Sequence, residues 1–454
     1  MLSPAKSINK DELIFKNSDL RKLIFPLIIE QLLSIMVGMA DSIMVASVGE
    51  AAVSAVSLVD SVNLLLFFIF SSVATGGAVV AGQYLGSKRP EKACESCDQL
   101  FNLTIVMSVI ITVIMYLGRG FILNGLFGRI EPDVKAYANT YLLIVFAAIP
   151  FLAIYNCGAA MFRAMGNTKI SMNTSLLMNS INVVGNAILI YGCHMGVEGV
   201  AIPTLISRMV AAFVIIILLK NPNLTIHLGK KLKLRPDKMM IGRILKIGIP
   251  NGIENSLFQL GKIMLMSFIS GLGTVAVAAN AVGNVVSMFQ LMPGLAIGIA
   301  VVTVVSRCVG AGNYDQARYY TMKLIKLTYI MHLILNAAIF LALPLIIKAY
   351  NLSSGTGLLA EELLTMHGFF AVTVWPIAFT LPNTLRASND AKFTMIISVV
   401  SMWIFRIGFG ILMGSVFGMG VMGVWIAMII DWFVRAVLFV FRYRSGKWTS
   451  IKII

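Results

Sequence analysis

"VAGQYLGSKRPEKA" (Val80–Ala93) returns 224 residues later as "VVSRCVGAGNYDQA" (Val304–Ala317), with Gly86 over Gly310, Glu91 over Asp315 and Ala93 over Ala317. The same offset sets Pro26 over Pro250, Glu30 over Glu254 and Gly49 over Gly273, and "MGVEGVA" (195–201) over "MGVMGVW" (419–425). "FRAMGNTKISM" (162–172) meets "LRASNDAKFTM" (385–395) at an offset of 223. Segments that recur in one order with a drift of one residue are the signature of an internal duplication.

The repeated unit is a membrane unit. A soluble chain carries roughly 25% charged residues; this one of 454 residues carries 12%, and 58% of it is hydrophobic. Apolar runs recur at about the 20 residues that cross a bilayer as a helix, and helices satisfy their own backbone groups in lipid. We segment the chain into twelve spans: 23–47, 53–84, 94–118, 134–160, 170–191, 199–219, 246–270, 275–306, 319–346, 363–385, 393–413 and 421–441. Six spans return each half to the side on which it began. The expectation is an all-α integral membrane protein of twelve transmembrane helices. They form two six-helix lobes related by a pseudo-two-fold axis along the membrane normal, with a cleft between them. The expected parts are an N-terminal segment 1–22, an N-lobe 23–219, an inter-lobe loop 220–245, a C-lobe 246–441 and a tail 442–454. Residues 1–22 are polar and lack a signal-peptide core, so the first span is read as retained.

A net charge of +16 raises the question of nucleic acid. The placement of the charge answers it. The alternate connections that include both termini, with the helix ends facing them (Arg435 among these), hold 29 of the 36 Lys and Arg residues. Arg119, Arg129, Lys135 and Lys348 lie on the other side, and Arg208, Lys262 and Arg406 lie within spans. This is the positive-inside pattern. It predicts a multi-pass protein of the cell (plasma or inner) membrane with both termini cytoplasmic, whose surroundings are lipid and not nucleic acid. No phosphate-binding G-x-x-x-x-G-K-[ST] loop appears, so ATP drive is not expected. Cys94 and Cys97 have C-x-x-C spacing but no second pair, and the four histidines form no motif. No enzyme activity and no organic cofactor are expected.

Against this apolar background a carboxylate at depth stands out. "IEQLLSIMVGMADSIMVASVG" (29–49) holds Asp41 about 12 Å below the outer end of its helix, where a charge costs on the order of 3 kcal/mol. On the fifth span Asn182 and Asn186 share a face as an i,i+4 pair and bracket that depth. Thr204 on the sixth span and Asp60 on the second fall near the same level. Carboxylate, amide and hydroxyl oxygens suit a hard cation, so sodium at Asp41 is one expectation and a proton on Asp41 the other. In the second half Lys262, Arg406 and Asp431 gather at about 12–16 Å depth. They are read as an ion-paired polar cluster or a substrate-facing patch.

The proline-led first span ending "DSIMVASVG", the "GQYLGSKRPEKA" loop, "FRAMGNTK" and "GVEGVA" together make the chain resemble the multidrug and toxic compound extrusion (MATE) family over nearly its whole length. The resemblance implies a monomeric secondary antiporter. It would export amphipathic, often cationic organic compounds by alternating access, in exchange for sodium ions or protons. It also implies that Asp41, Asn182 and Thr204 match the family's N-lobe cation site. Asn186 stands where one branch has a second aspartate. Phe258 and Pro376 stand near positions that are acidic in a sodium-linked branch, so no cation site is expected in the C-lobe. A lipid-linked saccharide flippase of the same superfamily is the first alternative; it would want a large basic cavity. A channel or receptor is the second.

Overall fold

The computed structural model describes residues 12–128, 130–229 and 236–452. Residues 1–11 of the expected N-terminal segment, Arg129, the basic 230–235 stretch of the inter-lobe loop and the last two residues of the tail lie outside them.

The first half is built of α1 (Asn17–Ala46), α2 (Glu50–Gly86), α3 (Pro90–Leu117), α4 (Pro132–Ala147), α5 (Ile149–Met165), α6 (Thr168–Gly192) and α7 (Glu198–Leu219). The second repeats the plan. It contains α8 (Lys238–Ser270), α9 (Thr274–Gly310), α10 (Tyr314–Ala349), α11 (Ser354–Thr373), α12 (Pro376–Ala387), α13 (Ala391–Val416) and α14 (Gly420–Arg444). Two pairs are single spans bent in the middle: α4 with α5 by 45°, and α11 with α12 by 61°. Pro150 and Pro376 stand at these bends in the fourth span of each half. Proline has no N–H to carry the ladder across the break. Among the described residues nine single helices are long and apolar enough to cross a bilayer, and the bent pairs raise this to eleven. The twelfth span is α8. It is 33 residues long but carries Asn251, Glu254, Asn255, Gln259 and Lys262, which dilute its apolar character. The fold is thus the expected all-helical, twelve-span, two-lobe architecture.

The repeat is visible in its turns. Gly49 (φ 135°) and Gly273 (φ 98°) precede α2 and α9, and Lys88 (φ 57°) and Gly312 (φ 70°) follow them. Gly166 (φ 84°) and Asn389 (φ 72°) stand at the equivalent turn after the fourth span. The chain reverses with left-handed residues at matching positions, by glycine in some copies and by a side-chain-bearing residue in others.

Ion pairs repeat as well. In the first half Arg163 Nη1 reaches Glu30 Oε1 at 3.1 Å, with Ser171 Oγ donating to Glu30 Oε2 at 3.0 Å. In the second half Arg386 Nη2 reaches Glu254 Oε1 at 2.5 Å. Each pair ties the first span of its half to the fourth.

Packing divides the chain into two compact units, Phe25–Gly252 and the remainder. The N-terminal ends of α1 and α8 are exchanged between them. In the unit Phe25–Gly252, α8 lies so close to α2 that a Cβ on Gly76 would stand 2.4 Å from the Ile244 carbonyl oxygen. In the other unit the Phe15 backbone N–H donates to Tyr320 Oη at 2.9 Å and its carbonyl accepts from the same hydroxyl at 2.7 Å. Each unit has its own apolar core. Phe70, Leu142, Val145 and Phe146 centre the first, and Leu363, Trp375, Trp425 and Trp432 the second.

Candidate functional site

Asp41 lies five residues before the end of α1, and its side chain is partly exposed. Behind it Asn186 is fully buried and donates from Nδ2 to Asp41 Oδ1 at 2.8 Å. The Asn186 carbonyl oxygen is also buried and has no hydrogen-bond partner. One turn earlier on α6, Asn182 stands between Asp41 and Thr204. With its amino group toward the carboxylate it donates to both Asp41 oxygens (2.9 and 3.2 Å), and its carbonyl faces Thr204 Oγ1 at 3.0 Å. The carboxylate's demand for donors selects that orientation.

Local sequence explains the closeness. A Cβ on Gly185 would stand 2.7 Å from Pro203 Cβ, so glycine lets α6 meet α7 where Asn182 reaches Thr204. Immediately after Asn186, residues Ile188–Gly192 widen into a π-turn. Such turns free backbone groups from the regular ladder and recur at functional sites. The expected residues Asp41, Asn182, Asn186 and Thr204 therefore form one contact group.

Asp60 belongs to a second, adjoining group. It is exposed on α2 and accepts from Asn63 Nδ2 and Tyr141 Oη, each at 3.2 Å. Arg208 on α7 is close enough to interact electrostatically with Asp41, Asp60 and Tyr141, yet its Nη1 is buried without a hydrogen-bond partner. Two carboxylates and one guanidinium leave this region one negative charge in excess. Asn63 was legible as the i+3 neighbour of Asp60 on one helix face. Tyr141 comes from α4, and no sequence spacing announces it.

The second unit arranges its charges differently from the expected cluster of Lys262, Arg406 and Asp431. Asp431 is fully buried and pairs with Arg435, Nε to Oδ1 at 2.8 Å, one turn further along α14. Ser401 Oγ donates to the same oxygen at 2.5 Å, and Arg435 Nη2 donates to the Ser398 carbonyl at 2.9 Å. The sequence reading assigned Arg435 to the end of its helix; the i,i+4 geometry instead draws it onto Asp431. Arg406 lies over the Phe258 ring, 5.2 Å from its centroid, within electrostatic range of Asp431 but without a hydrogen bond to it. Lys262 is in electrostatic range of Arg406. Among the described residues no three His, Cys, Asp or Glu side chains converge as a metal site would require.

Comparison with known proteins gives a consistent result. The model of the MatE family matches residues 26–188 and 250–412, two copies at the 224-residue offset. The chain is 27% identical over 462 residues to the Bacillus subtilis (strain 168) protein named "Uncharacterized transporter YisQ", covering 96% of this chain and 98% of that one. It is 26% identical over 449 residues to the Thermotoga maritima "Probable multidrug resistance protein NorM", covering 97% and 94%. The crystal structure of MATE in the straight conformation superposes with a TM-score of 0.88 at 20% identity, covering 94% of this chain and 95% of that one.

Proposed function

The chain belongs to the MatE family, and we propose that it is a cation-coupled secondary antiporter that exports small organic compounds by alternating access. Its relatives are named as a transporter and a probable multidrug resistance protein, which supports a transport role. In this reading residues 23–219 and 246–441 are the two moving lobes, joined by 220–245. The protein sits in the cell membrane as a monomer, with both termini cytoplasmic.

The coupling ion is bound by Asp41. The observation that carries the reading is the oxygen set around that carboxylate. Asp41 is accessible, while Asn186 behind it is buried and keeps an unpartnered carbonyl oxygen. Asn182 holds both Asp41 oxygens with its amino group and turns its carbonyl to the Thr204 hydroxyl, so these two orient the carboxylate for the ion. A buried polar atom without a partner costs about 1–3 kcal/mol. A sodium ion shared by Asp41 and the Asn186 carbonyl would remove that penalty, and a proton on Asp41 is the other coupling mode. Asp60, with Arg208 and Tyr141, tunes the charge beside the ion. The ion biases transport because it binds the two access states unequally.

The test uses purified protein in lipid vesicles with an imposed sodium or proton gradient. Gradient-driven export of a panel of organic compounds is the expected result, lost in Asp41→Asn although that variant remains folded and inserted. Full gradient-driven export by a well-folded Asp41→Asn protein overturns the reading. A purely structural Asp41 predicts the opposite pattern, poor folding with normal coupling in the surviving protein.

A further inference from the structure

The C-terminal unit holds more positive charge at depth than its own acids can neutralise. Arg406 on α13 and Arg435 on α14 flank Phe258, and Lys262 on α8, one helical turn beyond Phe258, is in electrostatic range of Arg406. Arg406 and Arg435 both lie against its ring, at 5.2 and 5.7 Å from the centroid. Asp431 is the carboxylate within reach, and Arg435 and Ser401 share its Oδ1. Its Oδ2 has no hydrogen-bond partner and does not bond Arg406. Three cations and one carboxylate leave two positive charges in excess. The charged neighbour that bears on Lys262 is another cation, Arg406. The Arg406 Nε is buried without a partner, and guanidinium cannot shed its proton. The histidine in electrostatic range of Arg406, His367, is bonded from Nδ1 to Gln290 Oε1 at 2.6 Å and brings no negative charge.

Uncompensated cations inside a membrane helix bundle are costly, and in such places they mark pathways for charged groups. We propose that Lys262 and Arg406 form a binding site for an oxyanion, a carboxylate or phosphate group, borne by a compound with an apolar body. Arg406 supplies the flat donor edge that fits an oxyanion, and Lys262 supplies a point charge. Phe258, Phe379 and Met402 provide apolar and aromatic surface in the same core. This deepens the antiporter reading by naming a substrate class. The compounds handled carry an acidic group, where the family resemblance suggested often cationic ones.

The test is equilibrium binding to purified protein in nanodiscs without any gradient, so it can fail or succeed independently of ion coupling. Three probes share one apolar body: 2-naphthoate, neutral 2-naphthamide and cationic 2-naphthylmethylammonium. Naphthoate is expected to bind about ten-fold or more tighter than the amide, the scale of a hydrogen bond to a charged group. Lys262→Gln and Arg406→Gln are each expected to erase that preference. Thermal unfolding of the ligand-free variants guards against a folding artefact. Removing an uncompensated cation should leave the melting temperature unchanged or higher, whereas a cation that serves internal ion pairing should lower it. Nanodiscs of phosphatidylcholine alone and with phosphatidylglycerol identify the source of the oxyanion. Weaker naphthoate binding with phosphatidylglycerol assigns the site to a lipid headgroup, and unchanged binding assigns it to a soluble acid. Equal affinity for the three probes, or a lowered melting temperature in both variants, overturns the proposal.

Discussion

Asn186 does two things at once: it donates to Asp41 from Nδ2 and offers a buried, unpartnered carbonyl oxygen. Asn186→Ala removes both and leaves Asp41 with the Asn182 amide. Loss of the carbonyl ligand should weaken sodium binding by about ten-fold or more, on the scale of a bond to a charged group, whereas loss of the donated bond destabilises the ionised Asp41 and should tighten proton binding. Half-maximal sodium or proton concentration for vesicle export measures this, and an unchanged ion dependence would remove Asn186 from the site. Tyr141→Phe is the contrasting change. It takes one donor from Asp60 and leaves every bond to Asp41 in place, so its effect on ion affinity should be several-fold smaller. At this scale the sequence was informative where partners share a helix face. Asn182 with Asn186 follows from helical spacing alone, and Asn63, three residues after Asp60, has a spacing that would have found it but was missed. Arg435 with Asp431 has the same i,i+4 spacing, but counting depth from helix ends assigned Arg435 to the interface and hid the pair. Tyr141 was hidden for a different reason, because contacts between α2 and α4 are tertiary.

The two halves differ informatively at the level of elements. At the turn after the second span, Lys88 holds a left-handed φ of 57° where its counterpart is Gly312 at 70°. An L side chain in that region costs about 1–2 kcal/mol relative to the right-handed form, and glycine escapes the penalty. Lys88→Gly should therefore raise the melting temperature and Gly312→Lys lower it; shifts of the same sign would contradict the shared turn geometry. The Glu30–Arg163 and Glu254–Arg386 pairs give a stronger comparison. Both are mostly buried, and removing one partner of such a pair typically costs 3–5 kcal/mol. Glu30→Gln and Glu254→Gln should each destabilise clearly. Replacing the arginine by Met in the same protein should return part of the loss, because no charge is left buried alone. Thermal unfolding of the single and double variants reads this coupling. The residues of both pairs sat in the repeated segments, yet their pairing was not legible. The repeat aligns Glu30 with Glu254 and Arg163 with Arg386 without saying which residues touch.

At the scale of the whole molecule the duplication was the most legible feature, because a fixed offset needs no knowledge of packing. The same 224-residue step links the prolines of the first spans, the left-handed turns that flank the second spans and the two family-model matches. The exchange of the N-terminal ends of α1 and α8 between units was not legible, since an apolar run does not say which neighbour it packs against. Orientation in the bilayer follows from a different property, the sidedness of charge. In the orientation we propose from the positive-inside rule, the turn around Cys193 faces outward. Cys193 is exposed and unpaired, and an impermeant maleimide added to intact cells should label it in the unmodified protein. With Cys193→Ser in place, a cysteine introduced at the exposed Thr225 should be labelled only after the membrane is permeabilised. Labelling at 225 from outside intact cells, with Cys193 protected until permeabilisation, would invert the topology. It would also put the accessible face of Asp41 about 12 Å from the cytoplasmic rather than the outer surface. Alternating access opens the site to both faces in turn, so that result would revise the topology while the Asp41 coupling test, read in vesicles, would stand on its own.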